Sequence, residues 1–290
     1  MAKQKLHFVL QFSKISKRDI AHAGGKGCNL GELYNQKFNV PNGFVVTTAA
    51  YYDFVEFRKL KDKISKELEK LNINDHALLE KISGNIKKLI HDEEIMEHLV
   101  KEINAAVKKS SGNKFAVRSS ATAEDLITAS FAGQQDTYLN VSRAKIVENV
   151  KRCWASLFNA RAIFYRHEKN IPHDVGMAVV VQEMVPAEFA GVMFTVDPIK
   201  KKYILIEGAF GLGEQVVSGE VTPNSYMLDR KSLKILEKNE SLKEYDENII
   251  KDIAKQGLLI EKHYKIPMDI EFAVKSRKIY ILQSRAITAL

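Results

Sequence analysis

The sequence predicts an α+β fold in two lobes. Apolar residues recur at spacings of three and four through most of the first half, whereas short apolar runs with period-two alternation dominate after about residue 176. With 290 residues and 45% hydrophobic content, the chain can bury a large core. We therefore expect a helix-rich first lobe over residues 1–184 and a strand-rich second lobe over residues 185–290.

The first lobe is expected to combine short strands with amphipathic helices. Strands are predicted in "LHFVLQF" (6–12), in "FVVTT" (44–48) and on both sides of a loop within residues 115–141. The stretch "GGKGCNLGELYNQ" (24–36) predicts a glycine turn that opens a helix, because Leu30, Leu33 and Tyr34 then share one face. Further helices are predicted from about 49, across 60–109, from about 146 and at 160–169.

The second lobe is expected to consist mainly of strands. They are predicted in "MAVVVQEMV", which starts just before the boundary, and in "AGVMFTVDP", "YILIEGAF", "SYMLDR" and "LKILEK". One helix is predicted at about 247–264. The closing stretch "DIEFAVKSRKIYILQSR" predicts a hairpin.

Composition narrows the range of functions. The net charge of +8 at pH 7 would suit a polyanionic partner, but lysines alternate with glutamates in stretches such as "LKDKISKELEKL", as is typical of solvated helix faces. Nucleic acid binding is therefore the least favoured function. No run approaches the length of a membrane span and the first 30 residues lack a signal-peptide profile, so we expect a cytoplasmic protein. Cys28 and Cys153 form no CxxC pair, which predicts neither a disulfide framework nor a zinc site.

Two segments of the first lobe have residue types suited to phosphate. In "GGKG" (24–27), Gly24 and Gly25 free the backbone, the following helix offers unpaired N–H groups, and Lys26 adds a charge. The spacing is not that of a P-loop, and a plain helix-starting turn explains the stretch as well. Arg118 ends an apolar strand before the loop "SSATAEDLITASFAG", and its planar guanidinium suits a phosphate. The alternative for Arg118 is an ion pair with Glu124 or Asp125.

Two strand ends are further candidates. In "VVVQEMV" (179–185) the strand turns polar at Gln182 and Glu183, as does a hinge strand that presents its edge to a purine; a plain strand end is the alternative. Glu207 ends another apolar strand and suits a ribose hydroxyl or a lysine, with a solvated strand end as the alternative. The glycines that follow run G-x-x-G-x-G, so the dinucleotide fingerprint is not matched.

The closing hairpin predicts a metal site. With a turn centred on Arg277, residues whose numbers sum to 554 lie opposite each other, which pairs Glu271 with Gln283 and Asp269 with Arg285. These four form a polar strip, and the apolar counterpart comes largely from Ile270, Phe272, Ile281 and Leu282. A carboxylate beside an amide oxygen is a plausible pair of ligands for Mg²⁺. A surface salt bridge is the alternative for Asp269 and Arg285.

In order along the chain, these segments resemble the N-terminal nucleotide-binding domain of phosphoenolpyruvate synthase and pyruvate phosphate dikinase. The resemblance rests on "GGKGCNLGEL", "VPNGFVVTTAAY", "AVRSSATAEDL", "SFAGQQDTYLNV", "GVMFTVDP", "GLGEQVVSGEVTPNSY" and "DIEFAV…IYILQSR", and it spans nearly all of the chain. The stretch "AVRSSATAEDL…SFAGQQ" is more similar to the synthase branch. The resemblance also extends to rifampin phosphotransferase.

The resemblance implies an ATP-grasp fold that holds ATP between two lobes, and it assigns roles by position. Lys26, Arg118 and Arg285 would contact phosphates and act as the catalytic cations. Gly133 and Thr137 would lie in a flap over the phosphates. Gln182, Glu183 and Val185 would line the adenine, Glu207 and Gln215 would face ribose or phosphate, and Glu271 and Gln283 would bind Mg²⁺.

The implied enzyme is an ATP-dependent phosphotransferase that passes the β,γ-diphosphate of ATP to a histidine and releases AMP. In the family this histidine lies on a swivelling domain, and a barrel domain binds phosphoenolpyruvate or pyruvate. None of the eight histidines has the sequence setting of the carrier histidine, so both domains are expected on another chain or outside this sequence. The alternatives are a non-catalytic ATP-binding regulatory module and the ATP-binding part of a rifampin-type phosphotransferase.

Overall fold

The structure is a computed structural model that describes residues 7–122, 136–211, 222–239 and 244–287. It divides into two compact units, each with helices and an antiparallel sheet, which confirms the predicted α+β class. Unit 1 comprises Met1–Glu32 and Asn42–Met184, and unit 2 comprises Leu33–Pro41 and Val185–Leu290. The segment 33–41 belongs to unit 2 because the backbone oxygen of Asn39 accepts a hydrogen bond from the Ile281 N–H at 3.0 Å.

Sheet A of unit 1 has five strands in the order β1-β2-β5-β3-β4. Their bounds are β1 Val9–Gln11, β2 Gly43–Val46, β3 Lys114–Ala121, β4 Thr137–Ser142 and β5 Met177–Glu183. The helices that accompany them are α1 Ile20–Asn35, α2 Thr48–Phe57, α3 Leu60–Leu68, α4 His76–Asp92, α5 Glu97–Lys109, α6 Ile146–Ser156 and α7 Ala160–Glu168. The helical pattern predicted across 60–109 is thus divided among α3, α4 and α5.

One face of sheet A forms the main core. Phe44, Val181 and Val117 lie opposite one another on β2, β5 and β3, so they share this face. All three are fully buried with the helix side chains Phe54 and Trp154, whose rings stack at 5.2 Å. Because the core residues alternate along each strand, the residues between them point to the opposite face.

That opposite face of sheet A is contacted by the N-terminal part of α1. The Ser120 hydroxyl donates to the Ala23 carbonyl at 2.8 Å and accepts from the Gly27 N–H at 3.1 Å. Gly24 breaks the helix with φ +65°, and a Cβ there would overlap the carbonyl oxygen of Ser120. Glycine is therefore required at position 24 by both its backbone angle and its contact with β3.

Sheet B of unit 2 has six strands in the order β11-β10-β6-β7-β8-β9. Their bounds are β6 Phe189–Phe194, β7 Ile204–Phe210, β8 Asn224–Leu228, β9 Ile235–Asn239, β10 Met268–Lys275 and β11 Lys278–Ala286. Helix α8 (Glu247–Tyr264) covers one face, where Gly257 allows close approach of the Met193 side chain. Asp246 caps the start of α8 by accepting from the Asn248 N–H at 2.9 Å.

The closing hairpin has the predicted pairs but a different turn. Ser276 and Arg277, both with positive φ, form a two-residue turn, and Lys275 lies opposite Lys278. A β-bulge between Glu271 and Phe272 then shifts the register by one residue. The pairs Glu271–Gln283 and Asp269–Arg285 are therefore confirmed, whereas the turn centred on Arg277 is wrong.

The bulge also moves Leu282 away from its predicted position. Leu282 does not join the apolar side of the hairpin but packs in a small cluster with Ala273 and Tyr280.

In the part of the chain that the structure describes, no helix has the length and apolar character to cross a membrane.

Candidate functional site

Unit 1 collects several predicted site residues on the face of sheet A that α1 contacts. Arg118 on β3 lies opposite Val180 on β5 and opposite Thr137 on β4. Gln182 on β5 lies opposite Ala116, which is two residues before Arg118 on β3. Residues opposite each other or two apart share a face, so Arg118, Thr137 and Gln182 lie on the same side as Ser120. The sheet therefore brings together three residues that the sequence assigned separately.

Arg118 is held deep in this face. Its residue surface is only 8% exposed, although the guanidinium carries a charge. Lys26 lies in the first turn of α1 after Gly24 and is half-buried. A helix N-terminus and two cations on one side of a sheet suit an anion.

Gln182 presents a buried amide on the same face. The residue is 1% exposed, and its Nε2 has no hydrogen-bond partner among the described residues. Leaving such a group unsatisfied costs on the order of 1–3 kcal/mol, which marks Gln182 as a group suited to a ligand that accepts a hydrogen bond.

Glu183 is engaged within unit 1. Its carboxylate accepts hydrogen bonds from the N–H groups of Ser111 at 2.7 Å and Gly112 at 3.0 Å, and the Ser111 hydroxyl lies 3.3 Å from it. The side chain therefore fixes the loop before β3 to the end of β5. The role of Glu183 beside adenine stays a prediction, and its carboxylate already has these partners.

Unit 2 carries a polar row across sheet B. Gln283, Glu271, Val192, Glu207 and Ser225 lie opposite one another on successive strands β11, β10, β6, β7 and β8. They share the face that α8 does not cover, because Met193, the neighbour of Val192, packs against α8. The register thus places two carboxylates and an amide in one line.

An apolar patch lies beside this row on the same face. Its members are Val185, Ala190 and Ala273, with Ala187, Tyr280 and Leu282 packed against them. Ala273 and Glu271 are two residues apart on β10, so the patch adjoins the polar row directly. A patch of small apolar side chains next to a few polar groups is a common lining for a ligand with a flat ring.

Burial perturbs two carboxyl groups of this face. Burial raises the pKa of Glu207, and the charge of Asp197 raises it further. Burial also raises the pKa of Asp269, although Arg285 acts in the opposite direction. The Arg285 Nε and Nη2 atoms both lie 2.7 Å from the Asp269 Oδ2 atom. The salt bridge that the sequence offered as an alternative is present.

The donor set of the polar row fits a magnesium ion. Glu271 and Gln283 supply a carboxylate and an amide oxygen at directly opposed positions, and Mg²⁺ is commonly held by one or two carboxylates plus phosphate oxygens and water. Among the described residues, no group of three or more His, Cys, Asp or Glu side chains is arranged to hold a metal.

Some predicted residues cannot be compared, and some site features were not predicted. Gly133 and Gln215 lie outside the described residues. The bonds of Glu183 to residues 111–112 and the apolar patch around Ala273 were missed. The patch had a signal in the alternation of "DIEFAVK", where Ala273 shares a face with Glu271. Nothing in the sequence signals the partners of Glu183, because 71 or 72 residues separate Ser111 and Gly112 from it.

Known proteins resemble this chain over nearly its whole length. Residues 20–248 and 240–290 match the family described as pyruvate phosphate dikinase, AMP/ATP-binding domain. A probable phosphoenolpyruvate synthase of Methanocaldococcus jannaschii is 44% identical over 98% of this chain and 27% of its own length. The phosphoenolpyruvate synthase of Pyrococcus furiosus is 38% identical over 98% of this chain and 44% of its own length.

Two further comparisons concern a relative by sequence and a solved structure. A rifampicin phosphotransferase of Bacillus cereus is 38% identical over 98% of this chain and 36% of its own length. The D-alanine–D-alanine ligase of Bacillus anthracis aligns with 91% of this chain and 60% of its own at 8% identity, with a TM-score of 0.37 that supports no inference. The chain spans 27% of the relative from M. jannaschii and 46% of a probable phosphoenolpyruvate synthase from Methanothermobacter thermautotrophicus.

The family match and the sequence relatives confirm the resemblance that the motifs carried. The match extends from the glycine turn at the start of α1 to the closing hairpin, so it includes the described site residues of both units. The chain belongs to the family of pyruvate phosphate dikinase AMP/ATP-binding domains.

Proposed function

We propose that this chain is the ATP-binding part of a phosphoenolpyruvate synthase-like dikinase. The observation that carries the proposal is the polar row of Gln283, Glu271 and Glu207 beside the apolar patch, in a chain of an AMP/ATP-binding family. In this proposal the adenine ring lies on the apolar patch, which includes Val185, and beside Gln182 and Glu183. Glu207 and Gln215 face ribose or phosphate.

The proposed cations neutralise the triphosphate. Lys26, Arg118 and Arg285 contact phosphate oxygens, and Gly133 and Thr137 lie over them. Arg285 is already oriented by Asp269, which is 8% exposed and so offers a fixed anchor. Phosphoryl transfer depends on positioning and charge neutralisation more than on protein nucleophiles, so cations at these positions fit the role of the domain.

Glu271 and Gln283 would hold Mg²⁺ in this proposal. The ion, when bound, supplies further positive charge to the phosphate oxygens. The carboxylate of Glu271 and the amide oxygen of Gln283 are the chain's own contribution. Their position on a two-stranded ladder, rather than on a loop, fixes the separation of the two side chains.

The proposed reaction transfers a diphosphate group to a histidine of another domain. A neutral imidazole nitrogen attacks the β-phosphorus, the bond from that phosphorus to the oxygen bridging to the α-phosphorus breaks, and AMP leaves with the bridging oxygen. The histidine would lie on a swivelling domain, and a barrel domain would bind phosphoenolpyruvate or pyruvate. The relatives' greater lengths support their place outside the matched segment, either on another chain or outside this sequence.

The test is transfer in trans. The chain is mixed with ATP labelled at the β-phosphate, Mg²⁺ and the part of the P. furiosus synthase that lies outside the matched segment. We expect AMP release and an acid-labile label on that partner, both absent without the chain and strongly reduced with Arg118→Ala. Calorimetry of ATP binding to the chain alone is run in parallel.

The two measurements separate the candidate functions. ATP binding without any transfer would contradict the dikinase proposal and favour the regulatory module. No ATP binding by a folded chain would contradict both. Replacing the partner by the corresponding part of the B. cereus rifampicin phosphotransferase tests the antibiotic alternative with rifampicin as the final acceptor.

A further inference from the structure

A second candidate site lies in unit 1, between the edge strand β4 and helix α6. A cavity of about 390 Å³ opens there. All of β4, residues 137–142, forms one wall, and Lys114, Lys145, Asn149 and Arg152 form the rest. Of the residues given a role from the sequence, Thr137 is the one that also lines this cavity among the described residues.

The lining of the cavity is cationic. Lys114, Lys145 and Arg152 each carry a positive charge, and the part of the lining that the structure describes contains no carboxylate. The Lys145 ammonium lies 2.7 Å from the carboxylate of Glu148, in an exposed pair whose net contribution to stability is small, so Lys145 can exchange this partner for a ligand. Three cations among the described lining residues favour an anion.

Arg152 is held in a fixed orientation in this wall. Its guanidinium carbon lies 4.0 Å from the centroid of the Tyr138 ring, and its Nη1 donates to the Asn149 Oδ1 at 3.1 Å. Asn149 is itself only 6% exposed and donates from Nδ2 to the Lys145 carbonyl at 2.8 Å. A stacked and tethered guanidinium loses little conformational entropy when it binds an oxyanion.

The cavity is distinct from the α1 side of sheet A, which carries Arg118 and Gln182 and is called the nucleotide face below. Tyr138 lies opposite Val117, a buried core residue, whereas Arg118 lies opposite Thr137. Successive residues of a strand point to opposite faces, so Tyr138 and the Arg152 guanidinium stacked on it lie on the α6 side of sheet A. Arg118 lies on the α1 side.

The shape of β4 favours a small ligand over an added strand. A register shift between Phe115 and Val117 marks a β-bulge in the β3–β4 pair, and Asn140 has φ +56°. A bulge in an edge strand disfavours pairing with a further strand. The volume of the cavity suits a small molecule rather than a chain segment.

We infer that this cavity binds a small oxyanion, either inorganic phosphate or the phosphate group of a small metabolite, through Arg152 together with Lys114 and Lys145. The planar guanidinium offers two parallel N–H donors to two phosphate oxygens, and the ammonium groups add charge. The inference does not depend on the proposed transfer reaction, because the three cations that carry it, Arg152, Lys114 and Lys145, have no role in that reaction.

The experiment is an NMR titration of the isotopically labelled chain with inorganic phosphate and, separately, with glycerol 3-phosphate. We expect saturable shifts of the backbone amides of residues 138–142 with at least one of the two ligands. Chloride at matched ionic strength should not produce them. The ligand with the higher affinity identifies the source of the phosphate group.

Three variants make the test specific. Arg152→Gln should weaken binding about tenfold or more, since a charge-assisted hydrogen bond is lost. Arg161→Gln, an exposed arginine on α7, should change the affinity less than about twofold, as expected for a surface charge. Lys26→Ala should leave the shifts at residues 138–142 intact, which separates this site from the proposed ATP site.

The inference is overturned by any of three results. The first is the absence of saturable shifts at residues 138–142 in the wild-type chain. The second is equal weakening by Arg152→Gln and Arg161→Gln, which would indicate nonspecific attraction to a basic surface. The third is loss of the shifts in Lys26→Ala with the fold intact, which would assign the phosphate to the nucleotide face.

Discussion

Glu271 and Gln283 lie directly opposite each other across the β10–β11 ladder only because the hairpin contains a bulge. Next to the turn, Lys275 lies opposite Lys278, and an unbroken ladder in that register would place Leu282 opposite Glu271. The bulge between Glu271 and Phe272 shifts the pairing by one residue and brings the amide of Gln283 to the carboxylate. The proposed metal pair thus depends on an irregularity of the strand.

Glu271→Gln should lower the affinity for ATP in the presence of Mg²⁺ about tenfold or more, because a carboxylate ligand is replaced by a neutral amide. The affinity measured without Mg²⁺ should change much less. Calorimetry in both conditions checks this. The control is Glu237→Gln on β9, whose carboxylate lies 3.0 Å from Lys200 in an exposed pair. Equal losses with and without Mg²⁺ would assign Glu271 a role that does not involve the metal.

Arg118→Ala should weaken ATP binding about tenfold or more, since charge-assisted contacts to phosphate are lost. Because Arg118 is buried, its replacement should also lower the free energy of unfolding. The loss of ATP affinity should be larger than the fraction of unfolded protein accounts for. Calorimetry and urea unfolding measure the two quantities, with Arg161→Ala as the exposed control. A variant that unfolds more easily but binds ATP normally would show that Arg118 is structural.

Glu183→Ala should lower the free energy of unfolding by about 1.5–3 kcal/mol, the range for hydrogen bonds to a charged group. The N–H groups of Ser111 and Gly112 lose their acceptor. Urea denaturation gives the value. Glu168→Ala serves as the control, because Glu168 is exposed at the end of α7 and its contact to His167 is 3.8 Å. A loss no larger than that of Glu168→Ala would show that the bonds contribute little.

Gly24→Ala and Gly84→Ala should have opposite effects on stability. At position 24 a Cβ would overlap the Ser120 carbonyl in a backbone with φ +65°, so we expect a loss of roughly 2–5 kcal/mol. At position 84, exposed on α4, a Cβ meets nothing within 4 Å, and alanine should stabilise the helix by about 0.5–1 kcal/mol. Thermal unfolding of both variants measures the difference, and a stable Gly24→Ala would refute the close contact between α1 and β3.

Acidification should destabilise unit 1 through His173. Burial, the largest cause, and the neighbouring Arg166 and His167 together lower the pKa of His173 from 6.5 to about 4. The His173 Nδ1 accepts a hydrogen bond from the Arg166 Nε at 3.2 Å, which requires the neutral ring. The folded pKa is depressed, so the stabilisation is complete above about pH 6.5 and is lost as the pH falls towards 4.

The measurement for His173 is urea unfolding at pH 7 and at pH 4.5. The pH-dependent loss should be smaller in His173→Asn by on the order of 1 kcal/mol, since solvent screens the partly exposed ring. His76→Asn, an exposed histidine at the start of α4, is the control. An unchanged pH dependence in His173→Asn would contradict a neutral His173 ring that accepts from the charged Arg166.

Local pattern predicted much of the fold. The helix predicted at about 247–264 matches α8, and the hairpin pairs Glu271–Gln283 and Asp269–Arg285 follow from alternation alone. These features depend on neighbours within about 16 residues, so periodicity captures them. The bulge was not predicted, and the correct pairs arose because the shifted turn and the bulge compensate each other.

Hydrophobic periodicity could not predict the contacts between segments that are distant in the sequence. Ser120 meets Ala23 and Gly27 over more than 90 residues, and Asn39 meets Ile281 over more than 240. Each depends on a single hydroxyl or backbone group, which leaves no repeating signal in the sequence. The same holds for the cationic wall at β4, where residues from β3, β4 and α6 converge.

The assignment of residues 33–41 to unit 2 has a consequence for dissecting the protein. The chain passes between the units at positions 32/33, 41/42 and 184/185, so neither unit is one uninterrupted stretch of sequence. A gene cut after codon 184 would separate β11 from Asn39, whose backbone oxygen accepts from Ile281 and whose side chain donates to the Ile279 carbonyl. The fragment 185–290 would then expose the unpaired edge of β11 and should self-associate. A fusion that restores the nine residues 33–41 to this fragment should remain monomeric.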